Sequence, residues 1–193
     1  MSRDWLGDER SDIAAEKILD AAGVLFADRG VAGVGMGEIA RAAGCSRATL
    51  YRYFETRRAL HLSFVHRETR RIGAAIRSRL PAGGEPGELV VEAMLIAVRL
   101  VRADPILHAW FRADGAGLAS EIAGSSVVIE TFAAAFLADA GIGDERNSPT
   151  ARWIVRIILS LLIVPGTDDT EERAMLTRFV APLISGESLS ADA

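Results

Sequence analysis

Cysteine and lysine are almost absent from this 193-residue chain, each occurring once, as Cys45 and Lys17. One cysteine excludes an intramolecular disulfide and fits a reducing compartment. The other 21 basic residues are arginines, which reads as a trace of a GC-rich genome rather than of a function. No apolar run is long enough to span a bilayer: the longest, 153–165, is interrupted by Arg156. The start, MSRDWLGDERSD, has no apolar core of the kind a signal peptide needs. A cytoplasmic protein without a membrane partner is therefore expected. His61, His66 and His108 have neither a second cysteine nor regular His/Asp spacing beside them, so no metal site and no cofactor is expected. The absence of a Gly-rich phosphate loop and of a nucleophile elbow argues against an enzyme.

What is present is an ordinary globular composition, half apolar and a quarter charged, with hydrophobe enough for a core. The net charge of −4 names no partner, but its distribution does. Residues 1–80 carry 14 basic and 10 acidic side chains, a balance of +4, whereas 81–193 carry 8 and 16, a balance of −8. Within 36–80, ten arginines face Glu38, Glu55 and Glu68. That asymmetry suggests a polyanion-binding head on a body with another task.

Helical periodicity runs through nearly the whole chain, so the fold class is all-α. Ile13, Ile18, Ala21, Ala22, Leu25 and Phe26 define a first helix ending at about Arg29-Gly30, preceded by an unpatterned arm containing Arg3 and Trp5. A short helix over Met36 to Ala43, Gly44 in a turn, and a helix capped by Ser46 and running to about Phe54 follow. Thr56 caps another from Arg57 towards Arg79. PAGGEPG, 81–87, is a linker, and apolar segments are expected at 88–103, 105–113, 117–140, 149–164 and 170–184.

The stretch CSRATLYRYF, residues 45–54, crowds cations and aromatics into a turn and a short helix. At 100° per residue, Leu50 and Phe54 point inward. The opposite face centres on Arg52, with Ala48 and Thr49 beside it and Tyr51 and Tyr53 on the flanks. Helix, Gly turn and Ser-capped helix make a helix-turn-helix, whose second helix enters the major groove. Arg there can bond guanine and Thr the thymine methyl, while tyrosine hydroxyls reach phosphates. Cys45, beside the cap, reads as a small turn hydrophobe, with a redox switch as the alternative.

Residues 37–60, GEIARAAGCSRATLYRYFETRRAL, with 18–36 before them, resemble the DNA-binding signature of the TetR family of transcriptional regulators. The resemblance covers about residues 11–60. It implies a homodimer binding a palindromic double-stranded DNA operator, usually as a repressor released by a small-molecule effector. Carried over, Arg47, Ala48, Thr49 and Arg52 face bases, and Tyr51, Tyr53 and Arg57 hold phosphates. One departure stands out. Many members begin the first motif helix with threonine followed closely by arginine, where this chain has Gly35, Met36 and Gly37. Gly35 can act as N-cap, but side-chain contacts to DNA from that helix are expected to be lost, and Gly37 to weaken it.

The domains expected are 1–55, the helix-turn-helix head with its arm, and 56–193, a helical bundle for ligand binding and dimerisation. Met94, His108, Trp110, Phe111, Trp153 and Arg156 have the chemistry for a largely apolar effector site. Arg156, in the almost wholly apolar WIVRIILSLLIV, needs a partner such as Glu130, an acidic ligand or an interface carboxylate. Ile157, Leu161 and Val164, with Leu176, Phe179, Val180 and Leu183, are expected to form an isologous four-helix interface. The rival reading is a small-molecule-binding helical protein with a vestigial head.

Overall fold

The first helix, α1 (Trp5–Arg29), stops where Gly30 adopts a φ of +77°, a left-handed conformation that glycine enters without strain. The computed structural model describes residues 5–141 and 148–185, with side chains from residue 12 onward except Ser148, and among these the regular structure is helical. Helix α1 begins within the segment expected to be an unpatterned arm, at Trp5; Arg3 lies outside the described residues.

Local chemistry builds the head. Helix α2 (Met36–Ala42) is capped by Gly35, whose N–H donates to the Glu38 carboxylate at 2.9 Å. The same carboxylate accepts Arg29 Nη1 at 2.8 Å, so a glycine-rich start is held by a side chain one turn inside the helix. Gly44 makes the turn at φ +69°. Ser46 Oγ then caps α3 (Arg47–Tyr53) by accepting the Thr49 N–H, and Thr56 Oγ1 caps α4 (Arg57–Arg79) through the Ala59 N–H, both at 3.0 Å.

The body wraps the far half of α4. Helix α5 (Pro86–Ala103) is buried on most sides, and α6 (Pro105–His108) and a 3-10 turn (Ala109–Phe111) follow Asp104. The single segment expected over 117–140 is two helices, α7 (Ala116–Ser125) and α8 (Val127–Asp139), bent by 66°. The break falls at buried Ser126, whose Oγ caps α8 through Ile129 N–H at 3.3 Å and lies 2.9 Å from His66 Nε2 on α4. Apolar periodicity continues across such a break, because both halves bury the same side. Helices α9 (Ser148–Ile163), α10 (Asp169–Phe179) and α11 (Ala181–Ser185) complete the chain, and the expected 170–184 segment is likewise divided, at Val180.

Two contacts hold these parts in place. At the head–body junction, Phe26 of α1 packs edge-on against His61 and Phe64 of α4 and Trp110 of the 3-10 turn, with centroids 5.4–5.6 Å apart. Phe64 and Trp110 stack at 5.6 Å. Burial, with help from the Arg57 charge, pushes the His61 pKa down to about 4, so the ring is neutral at pH 7. In the body, Glu172, only 1% exposed, accepts two bonds from Arg102 at 2.6 and 2.9 Å and the Gly166 N–H at 2.8 Å. Arg102 also donates to Leu161 O at 2.8 Å, tying α5 to the α9–α10 corner.

Glu172→Ala should destabilise the chain by about 3 kcal/mol in urea unfolding, since it strands a part-buried guanidinium. Arg102 holds the Glu172 carboxyl below its ordinary value of 4.5. Its contribution is therefore present above pH 4.5 and lost as pH falls through the folded value, and Glu172→Gln should flatten that acid limb. His61 acts in a different window. Between 6.5 and about 4 the unfolded chain binds a proton that the folded chain refuses, so stability declines as pH falls across that range. His61→Phe should remove this slope in thermal melts while leaving the limb below pH 4 in place.

Candidate nucleic-acid interface and ligand cavity

The helical wheel of α3 survives folding. Leu50 and Phe54 are buried, while Arg47, Ala48, Arg52 and Tyr51 are exposed. Thr49 is half-buried, its hydroxyl 2.8 Å from Ser46 Oγ. Tyr53 packs against the core, with the Arg52 guanidinium 5.4 Å from its ring centroid. Cys45 is a free thiol packed against the same core.

Arg57 is used differently from the expected phosphate contact. Its Nη2 donates to Val31 O at 2.7 Å and Ala32 O at 2.8 Å, which pins the turn between α1 and α2 to the start of α4. A cation spent on backbone carbonyls is a positioning residue for the head. Periodicity could not show this, because the acceptors lie some 25 residues upstream in a loop.

Between α4, α5, α7, α8 and α9 lies a cavity of about 240 Å³. Phe64 and Ile72 of α4, Met94 of α5, Trp110, Phe132 of α8 and Ile158 of α9 are among its walls. Apart from Trp110 Nε1, which has no partner among the described residues, the polar groups at its edge are already engaged. Thr69 Oγ1 donates to Val65 O at 2.8 Å, Glu68 accepts Arg67 at 3.0 Å and Arg71 at 2.6 Å, and the Arg77 guanidinium covers the Phe132 ring at 5.4 Å. Gly73 allows Phe132 to lie on α4: a Cβ at 73 would fall 2.5 Å from its Cε1. A space so lined suits an apolar occupant and has little to offer water.

Met94, Trp110 and Phe111 line this cavity, as their residue types suggested. His108, Trp153 and Arg156 do not. His108 is exposed on α6. On α9 the cavity wall is Ile154, Val155, Ile158, Leu159 and Leu162, and Trp153 and Arg156 fall on the opposite side of the helix. Arg156 is exposed and solvated, so its charge needs no buried partner; Glu130 lies 3.5 Å from Arg152 instead. The cavity residues that sequence reading missed, Phe132 and Phe136, carried a signal in their four-residue spacing.

The outer faces of α9, α10 and α11 correct the interface expectation in the same way. Leu161, Leu176 and Val180 are buried in the chain's own core, at 7% exposure or less, and cannot meet a partner. Ile157 is half-buried, and Val164, Phe179 and Leu183 are more than half exposed. They share stripes with Trp153 at i−4 to Ile157 and with Met175 at i−4 to Phe179, both partly exposed.

Residues 18–63 match the family of bacterial regulatory proteins described as the tetR family. An uncharacterized HTH-type transcriptional regulator of Mycobacterium tuberculosis is 47% identical over 189 residues, covering 97% of this chain and 94% of that one. Among solved structures, the TetR family repressor AlkX from Dietzia sp. strain DQ12-45-1b superposes with a TM-score of 0.65 at 25% identity, covering 88% of this chain and 97% of its own. RolR in complex with resorcinol gives 0.65 at 18% identity, covering 93% of each chain. Head, body and relatives agree: the chain belongs to the TetR family of helix-turn-helix transcriptional regulators.

Proposed function

We propose that this regulator is a homodimeric repressor that grips a palindromic operator and is released when a small, largely apolar molecule fills the cavity in its body. The observation that carries the reading is the double membership of α4. Its first turns hold the head through Arg57 and His61, and its later turns, from Phe64 to Arg77, form one wall of the cavity. An occupant that moves this wall moves the head. The head is residues 1–55 and the body 56–193, with α4 as the lever between them. A cytoplasmic location suits this role, and no single helix among the described residues is long and apolar enough to cross a membrane.

Two recognition helices must lie about one turn of DNA apart, ~34 Å, to read both half-sites. The exposed stripes of Trp153, Ile157 and Val164 on one side and Met175, Phe179 and Leu183 on the other supply an apolar face for a second copy. A coupling of ~1–3 kcal/mol between cavity and head would change operator affinity roughly 5- to 150-fold, enough for a switch.

Selection from a random duplex library at near-physiological salt should return an inverted repeat. Arg52→Ala should then lose preference at one base pair in each half-site, by about 1–3 kcal/mol. Recovery of unspecific, salt-sensitive duplexes alone would favour the vestigial head and make ligand binding the main activity. Phe179→Glu should yield monomers in sedimentation and abolish cooperative operator binding while leaving the fold of each chain intact. An apolar compound that raises the melting temperature should weaken operator binding within that 5- to 150-fold range; a stabilising compound with no such effect would leave the release mechanism without support.

A further inference from the structure

Arg47 opens α3 at the end from which a recognition helix reaches base edges, yet its side chain lies beside Gly37 of α2. A Cβ placed on Gly37 would lie 3.3 Å from Arg47 Nε, 3.4 Å from Cζ and 3.7 Å from Cδ. The guanidinium therefore lies along the first turn of α2, close enough that a Cβ at 37 would shift it by a few tenths of an ångström and a branched side chain there would compete for its space. Among the described residues Arg47 has no hydrogen bond or ion pair. The carboxylate nearest in sequence on α2, Glu38, is committed to Arg29 and to the Gly35 N–H. Among the described residues no carboxylate pairs with this cation, which lies against α2.

Position on α2 decides what such a cation can touch. In a helix-turn-helix the first helix crosses the sugar–phosphate backbone while the second enters the groove. From Arg47 and Gly37 together we infer that Arg47 is a phosphate clamp carried on α2's surface by a side chain borrowed from α3, and that base reading falls to Ala48, Thr49 and Arg52. The glycine at 37, which on its own weakens a helix, is then the vacancy into which the borrowed side chain fits. This assignment rests on the operator-binding reading above and alters which residues set affinity and which set sequence.

The two kinds of contact differ in a measurable way. A phosphate contact contributes about 0.9 to the slope of log affinity against log salt and is blind to sequence, whereas a base contact discriminates at one position. The full-length protein is titrated by fluorescence anisotropy against its selected inverted repeat, single-base variants of it and an unrelated duplex, from 50 to 200 mM salt. Arg47→Ala should weaken all duplexes by the same factor and reduce the slope by about 0.9 per protomer, with every base preference retained. Gly37→Thr should do the same by displacing Arg47. The swap Arg47→Ala with Gly37→Arg should restore the slope, since the cation then enters from α2 itself. Relaxed preference at one base pair with an unchanged slope in Arg47→Ala would overturn the inference, and so would a swap that leaves the slope low. Wild-type protein that binds no duplex at all would overturn the operator reading and this assignment together, an outcome distinct from either.

Discussion

The edge-on packing of Phe26 against His61, Phe64 and Trp110 is the joint on which the rest of this molecule depends. Phe26 belongs to the head, His61 and Phe64 to the shared helix α4, and Trp110 to the body, so a single aromatic cluster welds three elements. Edge-to-face rings have a narrow geometric preference, and cores have few voids to absorb a shift. Phe64 and Trp110 have the cavity behind them, and Phe26 has α1 behind it. Displacing either cavity-facing ring must therefore drag Phe26 or open a gap. Two ring nitrogens of this joint, His61 Nε2 and Trp110 Nε1, are buried without a partner among the described residues.

A polar frame surrounds the joint and converges on one buried carboxylate. Glu68, 7% exposed, accepts both Arg67 and Arg71. Arg67 reaches on to Glu16 and Asp20 of α1 at 2.9 and 2.8 Å, and Arg71 to Asp104 at 2.6 Å, just before α6. Arg58 pairs with Glu121 of α7, and His66 meets Ser126. Exposed ion pairs of this kind contribute little singly. Their arrangement matters more, because α4 is tethered on opposite sides to the head and to the body and cannot turn without exchanging these contacts.

The head was almost wholly legible in sequence, and for a local reason. Ser46, Thr56 and Gly44 act on groups three or four residues away, so a cap or a turn is written where it operates. The inward face of α3 follows from spacing alone. What escaped reading was long-range. Arg57 serves carbonyls some 25 residues upstream, Arg102 and Glu172 meet across 70 residues, and Ser126 breaks a helix whose apolar pattern runs through it. The assignments on α9 and α10 erred for a related reason. An apolar stripe can be recognised from spacing, but which stripe faces the chain's own core depends on neighbours. Leu176 and Val180 face inward while Phe179 and Leu183 face outward, although all four are apolar.

That partition places the cavity wall and the exposed stripe on opposite sides of α9, about 10 Å apart across one helix. An occupant could in principle push either way, towards the outer face of α9 or towards α4. The two walls differ in stiffness. At its C-terminal end α9 is pinned by Arg102, which holds Leu161 O and, with two charge-assisted bonds, the Glu172 of α10. The opposite wall is the contact between α4 and α8, where Phe132 rests on Gly73, Arg77 covers its ring, and α8 begins at the Ser126 break. Van der Waals contact with a glycine and a partly exposed cation–π pair yield more readily than a buried ion pair. In the proposed release mechanism the yielding point is therefore this α4–α8 contact, and motion there reaches the head only by exchanging the Glu68, Arg67 and Arg71 pairs that tether α4.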